Sequence, residues 1–82
     1  MNQENLTEIM EYLEELKDDN TISKNVREKI NQIILILNEQ EDMSLRINKA
    51  MQSLDDISED ISLPSYTRTQ IWNIVSMLES IS

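Results

Sequence analysis

A chain of 82 residues makes one domain, near the lower end of what folds alone. It contains no Cys, no His and no Gly, which removes disulfides, thiolate metal sites, the commonest general base and any glycine-rich phosphate loop. Sixteen acidic against seven basic residues give a net charge of −9, a poor balance for gripping nucleic-acid phosphates or an anionic membrane surface.

Hydrophobic periodicity predicts four helices, since each helical residue advances about 100° around the axis. In the first segment Leu6, Ile9, Met10, Leu13 and Leu16 fall in one stripe. Asn5 and Glu8 have capping-box spacing. The segment ends at Asp18-Asp19-Asn20, with Asn20 as the candidate left-handed C-cap.

The second segment is predicted from about Ser23 to Asn38, with Val26, Ile30, Ile33, Ile34 and Leu37 as its stripe. A charged loop follows. The third takes Asp42 or Ser44 as N-cap and places Ile47, Ala50, Met51, Leu54 and Ile57 on one face. Pro64 marks the start of the fourth, because proline is tolerated in a first helical turn. Its stripe is Thr67, Ile71, Ile74, Leu78 and Ile81, with Val75 beside it. Tyr12 and Tyr66 at stripe edges are expected to pack, and Met10 and Met51, within the stripes, to fill the core; with Met77 they suggest no cofactor.

The two halves align without a gap at a shift of 41 residues. Met10 meets Met51, Leu13 meets Leu54, Leu16 meets Ile57, Ile30 meets Ile71, Ile33 meets Ile74 and Leu37 meets Leu78. Apolar matches are cheap between amphipathic helices. Asp19 with Asp60, and Arg27 with Arg68, are harder to obtain by chance. The fold class expected is therefore all-α: a single four-helix bundle over residues 1–82, with two duplicated hairpins as its internal plan. A two-repeat HEAT-like stack has the same spacing but leaves both end faces bare. A closed bundle buries all four stripes.

The first segment repeats acids at helical spacing: Glu4, Glu8, Glu11, Glu15 and Asp18. Glu11-x-x-Glu14, followed later by Glu39-x-x-Asp42, resembles the carboxylate pattern of all-α nucleotide pyrophosphohydrolases. That resemblance implies Mg²⁺ on oxygen ligands inside a bundle. The wheel argues otherwise, since these acids lie opposite the stripe centred on Leu13, with Glu14 alone near its flank. A solvated acidic face is the expected reading, with no metal and no cofactor.

Leu35 and Leu45 lie opposite the stripes of their segments. Trp72 lies off the stripe of the fourth, one turn after Arg68, with a cation–π contact within reach. Trp and Arg are common interface anchors. Trp72, Arg68 and Val75, with Leu35 and Ile36 as a second patch, are the candidate interaction surface.

Pro64-Ser65-Tyr66-Thr67-Arg68-Thr69-Gln70-Ile71-Trp72-Asn73-Ile74-Val75 resembles the C-terminal signature of a small family of uncharacterised archaeal proteins, as does the earlier Asn25-Val26-Arg27. The resemblance covers nearly the whole chain. The family usually has Pro where Ser23 stands. It implies a compact four-helix bundle in the archaeal cytoplasm, and it brings no activity and no functional residues.

The longest apolar run, Ile33 to Leu37, is far short of the roughly 20 residues a membrane helix needs. Met1-Asn2-Gln3-Glu4 has neither the basic nor the apolar part of a secretion signal, so cytoplasmic residence is expected. The function itself is not written in the sequence. The expectation is a non-catalytic bundle acting through protein–protein contact, with a homodimer as one form of it. A Mg²⁺-dependent carboxylate hydrolase is the alternative.

Overall fold

A computed structural model describes the backbone of residues 2–81 and the side chains of residues 6–81. Four α-helices follow one another: α1 (Asn2–Lys17), α2 (Lys24–Leu37), α3 (Met43–Ser58) and α4 (Ser65–Ile81). No strand occurs among the described residues. Connections of five or six residues force sequential helices antiparallel. They close into a ring in which α1 packs on α2 and α4, and α3 packs on α2 and α4. Among the described residues the diagonal pairs do not approach within 8 Å between Cα atoms.

The core is built from the expected stripes. Ile9, Leu13, Leu16, Val26, Ile30, Ile33, Ile34, Leu37, Ile47, Ala50, Leu54, Ile57, Ile71, Ile74, Leu78 and Ile81 are all buried. Leu6, Met51, Met10 and Met77 are only partly buried, packed against that core from its flanks. Two further core residues come from connections that periodicity does not reach. Ile22 and Leu63 each enter the core from a turn.

Those two turns are copies of each other. In the first, Asp19 Oδ1 accepts from Thr21 N at 2.8 Å and Thr21 Oγ1 at 2.7 Å. In the second, Asp60 Oδ1 accepts from Ser62 N at 2.9 Å and Ser62 Oγ at 2.7 Å. Backbone bonds repeat too: Ile22 N donates to Asp19 O, and Leu63 N to Asp60 O. The Asp pairing at a shift of 41 is thus an Asx turn used twice. It reverses the chain without a left-handed residue, because the aspartate oxygen takes the amide that a glycine turn would satisfy differently. The repeat at a shift of 41 is thus visible in the structure at the two turns.

Two capping expectations are corrected. No described non-glycine residue has positive φ, so Asn20 is not a left-handed cap; the end of α1 is closed by Asp18 N on Glu14 O and Asp19 N on Leu16 O. Asn5 is not an N-cap, because α1 already begins at Asn2; the Asn5 side chain lies outside the described residues. The other helix ends fall where expected. Ser23 Oγ accepts from Val26 N at 3.2 Å, and Asn38 closes α2. Asp42 is the N-cap of α3 without a side-chain bond. Pro64 immediately precedes α4, and its carbonyl accepts from Arg68 N.

Two arginines fasten connections. Arg68 donates from Nε to Ser58 O and from Nη2 to Asp60 O. Arg46 donates from Nη1 to Leu37 O at 2.7 Å. Ser58 O and Leu37 O are carbonyls that a helix end leaves without intrahelical partners, and Asp60 O gains a second donor beside Leu63 N.

Candidate interaction surface

Trp72 is 47% exposed on α4. Arg68, Trp72 and Val75 follow one another at spacings of four and three, so they share a face. Arg68 reaches the last residue of α3, which places that face on the α3 side of α4. Val75 is half-buried and packs against the core. The Arg68 guanidinium is turned to the Ser58 and Asp60 carbonyls rather than held for the Trp72 ring, since a carbonyl at a helix end is the stronger partner for a half-buried cation. The indole face is left as an exposed apolar edge.

Leu35 is 58% exposed and Ile36 half-buried on α2. α2 lies diagonally across the ring from α4. The two expected patches therefore do not merge into one surface. They sit on opposite faces of the bundle, so contact of one with the other in a neighbouring copy would be head-to-tail and would not close on a two-fold.

Tyr66 is 72% exposed, against the expectation that it packs. Its hydroxyl oxygen accepts from Gln70 Nε2 at 3.3 Å one turn away, a bond made along the helix surface. Tyr12, also largely exposed, overhangs a cleft between α1 and α4 of about 450 Å³ with Leu16, Gln70, Asn73 and Met77.

The carboxylates form no centre. Glu8, Glu11, Glu14 and Glu15 stand exposed along α1 and Asp18 just after it, and Glu39 and Asp42 are exposed in the α2–α3 connection. Glu4 lies outside the described side chains. Among the described residues no group of three or more acids is placed to hold a metal ion. Asp19 and Asp60 have pKa values below the ordinary 3.8, first because the Thr21 and Ser62 hydroxyls donate to them. Lys49 is raised above 10.5 by its hydrogen bond to Glu41, at 3.0 Å, with Glu39 at 3.9 Å. These shifts belong to turns and a surface ion pair, not to a reactive site.

The cations are less scattered than the sequence suggests. Lys17, Lys24 and Arg27 line, with Glu28, one open groove of about 620 Å³ along α2, which continues past Asn31 to Leu35. No single helical wheel could show this, because Lys17 and Lys24 lie on different helices.

Residues 1–81 match the family described as an uncharacterised protein family, UPF0147. The chain belongs to UPF0147. A UPF0147 protein of Methanosarcina mazei is 40% identical over 77 residues, covering 93% of this chain and 83% of that protein. The crystal structure of a UPF0147 protein from Thermoplasma acidophilum superposes with a TM-score of 0.94 at 33% identity, covering 99% of this chain and 96% of that one. A crystal structure of an unknown-function protein, MMP1188, superposes with a TM-score of 0.89 at 44% identity, over 95% of this chain and 90% of the other. The archaeal family and all-α bundle implied by the Pro64–Val75 string are therefore established. UPF0147 brings no activity to this chain, and nothing in the family or in the placement of its carboxylates supports the hydrolase alternative. Among the described residues no helix is long and apolar enough to cross a membrane.

Proposed function

We propose that this UPF0147 chain is a non-catalytic helical bundle of the cytoplasm that works through protein–protein contact, with the Trp72 edge meeting the same edge of a second copy. The exposed indole carries the reading. It is the chain's one Trp, and the bundle closes its core without it. An isolated exposed Leu needs no explanation, but a half-exposed Trp beside a half-buried Val is the composition of an interface centre. Self-contact is favoured because the second apolar patch lies on the opposite face. Burying the exposed part of one indole, on the order of 100 Å², contributes roughly 2–3 kcal/mol at about 25 cal/mol per Å². A two-fold contact doubles that, and the wider helix faces must supply the rest of a stable interface.

Sedimentation velocity on the wild type and on Trp72→Ala, with circular dichroism of both, tests this. A wild-type dimer that becomes a folded monomer in the variant is the expected result. A wild type that stays monomeric at high concentration removes the two-fold contact. A variant that unfolds makes Trp72 a core residue instead.

A further inference from the structure

Lys17, Lys24 and Arg27 account for three of only seven cations in a chain of net charge −9, and they line one groove. Of the other four cations, three are engaged by ion pairs or hydrogen bonds. Lys49 is paired with Glu41 and Glu39, and Arg46 and Arg68 fasten helix ends. Within the groove Lys17 has Glu14 at 3.0 Å. Among the described residues no ion pair involves Lys24 or Arg27, and the Arg27 Nε is buried without a hydrogen-bond partner.

The 41-residue repeat supplies an internal control. Arg27 corresponds to Arg68, and Arg68 donates its Nε to the end of the preceding helix. Arg27 stands at the same place in its hairpin and leaves that Nε unpaired. Lys17, Lys24 and Leu35 correspond to Ser58, Ser65 and Ser76. The second hairpin folds with serine at all three positions, so the hairpin itself demands neither the lysines nor the exposed leucine. The cationic groove is an addition to the first hairpin, not part of what holds a hairpin together.

We propose that this groove binds a short acidic–apolar peptide segment of a partner protein. Its carboxylates lie at the Lys17–Lys24–Arg27 end, and its apolar side chain lies over Leu35. Dimensions and chemistry select this occupant. From Lys24 to Leu35 the groove runs about 16 Å along α2, at about 1.5 Å per residue. An extended segment covers that in roughly five residues. A guanidinium edge matches a carboxylate side-on, and two flanking ammonium groups set the charge. Asn31 and Gln32 between the two ends offer amides to a peptide backbone. Glu28 also lines the groove, directly after Arg27, and its charge limits how many carboxylates that end accepts. The inference rests on the interaction reading above and names a partner class for it, on a face separate from Trp72.

The test is a titration of the ¹⁵N-labelled full chain with the blocked heptapeptide Asp-Asp-Glu-Ser-Thr-Leu-Leu, read by amide chemical shifts. Expected are saturable shifts around Lys17, Lys24, Arg27, Asn31 and Leu35, and none around Trp72. Lys24→Gln and Arg27→Gln each weaken binding about tenfold. Lys24 is exposed, so its variant reports on binding even if Arg27→Gln perturbs the fold. Leu35→Ser also weakens it, and Glu28→Gln tightens it. Three results overturn the proposal: no saturation by about 5 mM, equal binding of a peptide with Asn and Gln in place of its acids, or the same shifts at the same affinity from sodium phosphate alone. A monomeric wild type that binds the peptide removes the two-fold contact and keeps the groove. A dimer that ignores the peptide does the reverse.

Discussion

The Arg68 guanidinium spans the α3–α4 turn, donating from Nε to Ser58 O and from Nη2 to Asp60 O, each at 3.0 Å. One side chain thus closes the end of α3 and holds the turn that starts α4. Lysine lacks the fork that reaches both carbonyls. Arg68→Lys and Arg68→Ala should each lower stability by about 2 kcal/mol, roughly a 10 °C fall in melting temperature for a domain of this size. Arg27→Ala should lose less than half as much, because its Nε has no partner among the described residues. Equal losses at the two positions would remove the asymmetry on which the groove argument rests. Thermal denaturation of the three variants against wild type is the measurement.

Ile22 and Leu63 carry the second prediction. Both sit in turns, yet they are 4% and 5% exposed. Each anchors an Asx turn to the core beneath it. Ile22→Ala and Leu63→Ala should cost about 2–5 kcal/mol each, as for any large-to-small change in a core. Ile61, two residues from Leu63, is 97% exposed, and Ile61→Ala should stay within about 0.5 kcal/mol of wild type. Urea midpoints at unchanged m-value decide this. Similar losses at Ile61 and Leu63 would contradict it.

Ile22 and Leu63 also mark the limit of what the sequence conveys. Four helices, the ends of α2 and nearly the whole core were legible, because a stripe of period 3.6 is a local signal. The turn plugs were not, since a six-residue connection has no period. The shift of 41 pointed to the turns through Asp19 and Asp60, but their role lies in a carboxylate bond to the residue two places on. Trp72 was legible as off-stripe. The separation of its patch from Leu35 was not, because it depends on which helices are neighbours in the ring. The groove was invisible for the same reason: Lys17 and Lys24 line it from the two sides of a turn.

Asp19 and Asp60 give a pH dependence with a definite sign. Both carboxyls titrate below 3.8 in the folded chain, first because of the Thr21 and Ser62 hydroxyl bonds. A depressed folded pKa contributes stability that is complete above the unfolded value and is lost as pH falls through the folded one. Protonating the other acids relieves repulsion in any variant, so a comparison isolates these two. Between about pH 5 and pH 2 the wild type should lose more stability than Asp19→Asn/Asp60→Asn. Urea denaturation across that range checks it, and parallel losses would show that the two turns do not depend on ionised aspartate.

Trp72 is the only tryptophan, so the chain's indole fluorescence reports on the proposed contact and nothing else. Acrylamide quenching and emission maximum should be followed from about 1 μM to about 1 mM protein. A two-fold contact at this edge predicts blue emission and weak quenching at the high end, where the assembled form holds the ring out of water. The readily quenched emission of a half-exposed indole, unchanged across the whole range, would contradict it.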